Sequence, residues 1–407
     1  MPTEAPLPLA EARSRMRDRV TAVEETELVP LGQLAERILA APLRADVDLP
    51  AADCSAMDGY ALRHADLLPG ARLRLIGTAL AGAPFADRVD AGQCVRITTG
   101  AQLPAGTDTV VIQEDVAREG DAIALTAQAP QPGANVRRTG EDIARGELLL
   151  PAGRRLGAIE IGVLATLGRA QARVRRRVRV ALLASGDELR PPGSLLEPGQ
   201  IHDSNRYVLA AMLARLGVDV RDFGIVPDRP EALRAAFRAA AAEADLVLSC
   251  GGASVGEADF TLEILRELGE VAFWKVAIKP GKPFIFGRLG NALLCGLPGN
   301  PVSALVTFHQ LAVPVIRGLQ GAEDPEPLRL VARTTVPLRP NRSRLELLRG
   351  HLQRDVAGDL RVTPDRQQSS AAFAALARCN AFIEVPMGTA EIAAGAAVSV
   401  LPFDALL

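Results

Sequence analysis

Between residues 178 and 321 the chain alternates between short, wholly apolar runs and longer segments whose apolar residues recur every three to four positions. The apolar runs "VRVALLA" (178–184), "VDVRDFGIV" (218–226) and "DLVLSC" (245–250) predict strands. Residues 204–217, 229–244 and 259–269 predict helices, with Ser204 and Asp259 standing where capping side chains are expected. Residues 270–278, 283–287 and 291–297 read as extended, and 300–319 as a long apolar helix. Strand–helix alternation of this kind predicts a parallel sheet covered by helices on both faces. Residues 46–146 follow another pattern: short Val/Ile/Thr runs such as "RLRLIGTAL" and "DTVVIQEDV", broken by Gly and Pro, which predict a mostly-β inserted domain. Residues 147–177, joined with 1–45, read as N-terminal helices and a connector. The arginines and valines of 173–179 read there as a solvated strand edge. The predicted class is α/β plus β, with an α/β domain over 178–325 and a small β domain over 326–407.

Composition narrows the function. With 407 residues, 48% of them hydrophobic, the chain can bury a sizeable core. A net charge of -2 argues against nucleic acid or an anionic membrane as the main partner. No apolar run reaches the roughly 18 residues of a membrane span, and the N-terminus has no signal-peptide core, so a cytoplasmic enzyme or binding protein is expected. The five cysteines form no C-x-x-C pair and the four histidines are scattered, which speaks against a zinc site or a His-based triad. A metal here would be a hard cation on carboxylates. Lysine is nearly absent: Lys275, Lys279 and Lys282, all within "KVAIKPGK", are the only three. Lysine is a compact point charge that a planar guanidinium does not copy. The cluster therefore reads as a pocket for phosphate or another oxyanion, or as one solvated loop.

In open α/β sheets ligands sit outside the carboxyl ends of the strands. Five loops are expected there: "SGDEL" (185–189), "PD" (227–228), "CGGASVGEAD" (250–259), "KPGKP" (279–283) and "LPGNP" (297–301). Gly251 and Gly252 let the backbone approach a phosphate or pterin edge closely, and Ser254 adds a hydroxyl. Carboxylates beside such a cradle, Glu257 and Asp259, suit it only with a cation between, which suggests Mg²⁺. A tight turn with a helix cap is the plainer reading. Glu188 and Asp228 bring two more carboxylates to this edge, as metal ligands or as turn residues. Pro298, Gly299, Asn300 and Pro301 lead into a helix whose first N–H groups favour an anion, or merely punctuate its start. In the β region, Asp58 of "SAMDGYAL" and Asp142 of "TGEDI" sit in glycine-flanked turns and read as turn formers.

Taken together and in order, "SAMDGYAL", "TGAQLPAGTDTVVIQED", "NVRRTGEDI", "SGDEL", "IHDSN", "SCGGASVGEADF", "KVAIKPGKPFIFG" and "GLPGNPVSAL" resemble the MoeA/gephyrin E-domain family over nearly the full length. The resemblance implies a molybdopterin molybdenumtransferase of molybdenum-cofactor biosynthesis. Such an enzyme takes molybdate and adenylylated molybdopterin and releases AMP with the help of a divalent cation, Mg²⁺. It implies an elongated homodimer whose cleft includes β-domain residues of the other subunit, with a molybdopterin adenylyltransferase and recipient molybdoenzymes as partners. Carried over by motif, the catalytic acids are Asp58, Asp142, Glu188, Asp228 and Asp259, and the lysines Lys275 and Lys279. Glu188, Asp228 and Asp259 would hold the metal. Gly251, Gly252, Ser254, Lys282 and the Pro298, Gly299, Asn300 and Pro301 turn would bind substrate. The resemblance raises Asp58 and Asp142 from turn formers to site residues. The chain departs from the family at Ala184 and Ser185 before Gly186, at Cys250, and at "QQSSA" (367–371), which lacks two glycines. That last stretch, with Arg344 and Arg349, is a candidate second oxyanion site. A molybdopterin adenylyltransferase and a non-catalytic carrier or scaffold are the competing readings.

Overall fold

The computed structural model describes residues 5–251, 258–322 and 327–403; for 258–260 only the backbone is described. Two compact units emerge. One comprises residues 1–41, 152–162 and 170–407, the other 42–151 and 163–169.

The second unit is β-rich, as its alternating apolar pattern requires. Its main sheet has six strands in the order Thr109–Ile112, Gly59–Leu62, Gln93–Ile97, Arg72–Ala79, Ala122–Leu125 and Val116–Glu119. Ala61, Val95, Ile97 and Val110 pack on one side of it, Tyr60, Leu62, Cys94 and Val111 on the other.

The first unit contains the expected α/β region. Its elements are β1 (Arg179–Ser185), α1 (Asn205–Arg215), β2 (Asp219–Val226), α2 (Pro230–Glu243), β3 (Leu246–Cys250), α3 (Ala258–Leu268), β4 (Gly269–Lys275), β5 (Pro283–Leu289), β6 (Ala292–Leu297) and a long helix α4 (Pro301–Gln320). The strand order is β2-β1-β3-β6-β5-β4. β1 and β3 are apolar at nearly every position because both faces of the sheet are covered. Val180, Leu182, Leu246 and Leu248 face one helical layer, while Ala181, Leu183 and Val247 meet Leu233 and Phe237 of α2.

The sheet corrects the all-parallel expectation. β2, β1, β3 and β6 are parallel, but β5 is antiparallel to both β6 and β4. The two-residue Gly290–Asn291 connection between β5 and β6 leaves no room for a crossover, so those strands must form a hairpin. This reversal has a useful result. The end of β4, the start of β5 and the end of β6 all reach the same edge as the carboxyl ends of β1, β2 and β3.

Three local expectations also change. Ser204 makes no capping hydrogen bond; Asp203 does the work instead, its Oδ1 accepting from the Arg206 N–H at 3.2 Å. Helix α3 begins at Ala258, so Asp259 lies inside the first turn rather than ahead of it. The arginines of 173–179 are not simply solvated: Arg175 donates to the Val23 carbonyl at 2.5 Å, Arg177 to the Gly217 carbonyl at 2.7 Å, and Arg176 clamps Asp245 through two bonds of 2.7 and 2.9 Å.

Helix α4 is long and apolar enough to cross a membrane, with a mean hydropathy of 1.4, against the expectation of no such run. It is 83% buried within the fold, as a core helix would be. A π turn at Phe308–Ala312 interrupts it. Pro314 has no N–H to give the carbonyl of Gln310, four residues back. Arg13, in the N-terminal helix Leu9–Arg17, donates to that carbonyl at 2.9 Å.

The C-terminal residues close into a barrel. Leu345–Arg354, Leu360–Pro364, Leu330–Thr334, Ala397–Pro402 and Ala381–Val385 pair in that order, and the last returns to the first. Ile278–Lys279, from the lysine loop, adds a short strand beside Leu345–Glu346. Leu347, Phe382 and Leu401 of the barrel share one apolar core with Ile278, Phe284 and Phe308.

Candidate functional site

The carboxyl edge of the α/β sheet gathers most of the residues singled out in the sequence. Glu188 follows β1 and Asp228 follows β2, both exposed. Their loops are joined by the Asp228 N–H, which donates to Asp187 Oδ1 at 3.1 Å. Gly186 makes room for the Glu188 carboxylate: a Cβ there would stand 2.6 Å from Glu188 Oε2. Gly251, after β3, has a φ of +101°, and its own Cβ would meet the Ser185 carbonyl oxygen at 2.2 Å. Only glycine lets β3 turn this close against the end of β1. Its N–H donates to the Leu297 carbonyl at 3.3 Å, tying β3 to the "LPGNP" turn. Gly299 and Asn300 are exposed on that turn, and α4 starts at Pro301. The turn meets the C-terminal region through the Val302 N–H, which donates to the Ser370 carbonyl at 3.1 Å.

The three lysines do not form one bare cluster. Lys275 lies over the Trp274 ring, 3.5 Å from its centroid, a cation–π contact. Lys279 pairs with Glu346 at 2.6 Å, and Glu346 also accepts from the Asn341 N–H at 2.6 Å. Lys282 is exposed. Glu346 carried no signal in the sequence; only the strand pairing of 278–279 with 345–346 brings it to the loop.

Asp58 and Asp142 belong to the other unit. Asp58 Oδ1 accepts from the Thr99 N–H at 2.7 Å and the Thr99 hydroxyl at 2.9 Å. The backbone bond first, then the hydroxyl, holds its carboxyl below the usual aspartate range. Asp142 is exposed, and its N–H donates to the Leu49 carbonyl at 2.9 Å. Both sit in turns, as expected, yet Asp58 is held in one orientation by a residue forty-one positions away, which no local pattern shows. Gly252 and Ser254 lie outside the described residues, as does the side chain of Asp259.

Among the described residues no three His, Cys, Asp or Glu side chains gather around one point. Mg²⁺ does not need such a cage. It keeps several waters and is commonly held by one or two carboxylates together with substrate phosphates. Exposed Glu188 and Asp228 on joined loops fit that donor set.

The second oxyanion candidate is differently arranged. Arg349 is buried, and its guanidinium donates to the carbonyls of Gln367 and, at 3.1 Å, Ser369. Gln368 returns a bond to the Arg349 carbonyl at 2.9 Å. Arg349 thus holds the 367–371 stretch in place.

Three family profiles match in succession: "MoeA N-terminal region (domain I and II)" over residues 7–168, "Probable molybdopterin binding domain" over 181–318, and "MoeA C-terminal region (domain IV)" over 331–403. A molybdopterin molybdenumtransferase of Haemophilus influenzae is 42% identical over 402 residues, covering 98% of this chain and all of that one. One from Nostoc sp. is 37% identical over 94% of this chain and 90% of its own. A crystal structure of a molybdopterin biosynthesis MoeA protein from Pyrococcus horikoshii OT3 superposes with a TM-score of 0.84 at 26% identity, covering 98% of this chain and 100% of that one. The chain belongs to the MoeA family of molybdopterin molybdenumtransferases.

Proposed function

We propose that the chain inserts molybdenum into molybdopterin, taking molybdate and adenylylated molybdopterin and releasing AMP. The observation that carries this reading is the single sheet edge where Glu188, Asp228, the Gly251 turn, the lysine loop and the "LPGNP" turn meet. Phosphate-cradling backbone, exposed carboxylates and lysines at one edge suit cleavage of a pyrophosphate link. A water or molybdate oxygen attacks phosphorus, the bridging oxygen leaves with the other phosphate, and, where water is the nucleophile, a carboxylate takes its proton. When bound, Mg²⁺ would supply charge neutralisation at the pyrophosphate link, with Glu188, Asp228 and Asp259 as its holders. Lys275, Lys279 and Lys282 neutralise the anionic groups brought to this edge, Lys279 by sharing its ammonium with Glu346. The remaining task is positioning, which a rigid sheet edge provides.

The test is AMP release from adenylylated molybdopterin with Mg²⁺, with and without molybdate, followed by activation of a cofactor-free molybdoenzyme. Molybdate-dependent AMP release with activation supports the transferase. Activity that instead consumes ATP would make the protein an adenylyltransferase, and tight binding without AMP release would make it a carrier. The family resemblance also supports a homodimer with Asp58 and Asp142 serving the partner's cleft. Mixing an Asp58→Asn variant with an Asp228→Asn variant then restores activity neither has alone; failure to complement in a mixed dimer would sink the shared site.

A further inference from the structure

The motif "IHDSN" stands among the stretches that mark the family resemblance, yet none of its residues has a place in the site described so far. In the structure Asp203 and Asn205 of this motif have separate partners. Asp203 is buried; Oδ1 caps α1, and Oδ2 accepts from Arg206 Nε at 2.9 Å. This leaves Asn205, the first residue of α1, free to point along the sheet edge. Its Nδ2 donates to the Gly299 carbonyl at 2.7 Å and to Cys250 Sγ at 3.1 Å. The Cys250 thiol donates in turn to the Pro298 carbonyl at 3.4 Å. Burial pushes that thiol up to about 12, so it stays neutral and serves both as acceptor and as donor. One carboxamide and one thiol therefore bridge the end of β3 to the turn after β6, beside the Gly251–Leu297 backbone bond.

We infer that Asn205 is a positioning residue for the anion-receiving edge: its carboxamide sets the spacing between the Cys250–Gly251 turn and the Pro298–Gly299 turn, and so the placement of the exposed Gly299–Asn300 backbone offered to phosphate. The inference rests on the reading that this edge holds the substrate. The two N–H hydrogens of the Asn205 carboxamide serve Gly299 and Cys250 together, which neither a carboxylate nor a methyl at this position does. An Asn205→Asp variant would set a carboxylate oxygen against the Gly299 carbonyl, replacing attraction by repulsion, whereas Asn205→Ala only removes the bonds.

The experiment compares wild type, Asn205→Ala and Asn205→Asp in the full-length protein. The readouts are thermal unfolding, KM and kcat for AMP release from adenylylated molybdopterin, and amide hydrogen exchange of peptides covering residues 246–251 and 294–300. The expected result is unfolding within a few degrees of wild type, a KM raised about tenfold in Asn205→Ala and further in Asn205→Asp, a smaller change in kcat, and faster exchange confined to the two turns. Wild-type KM and exchange in both variants would overturn the inference. So would equal losses in both variants that merely follow a general fall in stability. Should wild type itself release no AMP, the proposed activity fails on its own, and the exchange pattern still decides whether Asn205 holds the two turns.

Discussion

The Asp58 carboxylate owes its orientation and its low pKa to Thr99, whose N–H and hydroxyl both donate to Oδ1. A Thr99→Val variant keeps the backbone bond and loses the hydroxyl. Its Asp58 pKa is expected to rise toward the ordinary aspartate value, measured by NMR titration of the labelled carboxyl. Because the wild-type value is depressed, Asp58 stays charged further into acid, and any step that needs its charge loses its acid limb earlier in the variant. Gly251 offers a second single-residue test. A Gly251→Ala variant places a methyl 2.2 Å from the Ser185 carbonyl oxygen, at a φ of +101°. It is expected to cost roughly 1–3 kcal/mol in denaturant unfolding, and a proportionately larger loss of turnover, because the turn must move off β1. The glycine was legible in the sequence as a close-approach residue. Its partner carbonyl was not, since nothing local says which strand end lies opposite.

At the scale of elements, helix α4 shows a proline absorbed rather than avoided. The π turn at Phe308–Ala312 precedes Pro314, and Arg13 satisfies the carbonyl that the proline leaves bare. The same turn buries His309 beside Gln310, whose Nε2 lies 3.0 Å from His309 Nδ1. Burial first, then the positive charges of Arg13, Arg317 and Arg329, push the His309 pKa down to about 4 from 6.5. A histidine kept neutral in the fold but free to protonate when unfolded favours the unfolded chain as pH falls. Stability is therefore full above about pH 6.5 and is lost progressively toward pH 4. A His309→Gln variant is expected to flatten that decline by up to roughly 3 kcal/mol, read from urea midpoints between these two pH values. The apolar run of α4 was plain in the sequence. The salt-free pairing of a backbone carbonyl with an arginine 297 residues away was not, because it depends on where the N-terminal helix docks.

At the scale of the whole molecule, the barrel and the α/β region are not independent. Leu347, Phe382 and Leu401 complete the core around Ile278 and Phe308, and Ile278–Lys279 is itself a barrel-edge strand. A chain ending at residue 326 would expose that core, each buried Leu or Phe lost being worth roughly 1.5–3 kcal/mol. It is expected to show no cooperative melt by circular dichroism. A 42–169 fragment carries its own buried clusters and is expected to melt cooperatively. What the sequence determined by itself was the kind of each element and the edge where its loops end: alternating and continuous apolar runs report which faces are covered, and Gly, Pro and acidic residues cluster where strands stop. It also contained the Gly290–Asn291 hairpin signal that reverses β5, although strand–helix alternation alone pointed to a parallel sheet. Tertiary structure alone decided the pairings: Lys279 with Glu346, Asp58 with Thr99, Asn205 with Gly299 and Cys250. The physical reason is that periodicity is a local property of the chain, whereas a hydrogen bond between loops is set by strand order and register, which bring together residues that no spacing along the sequence connects.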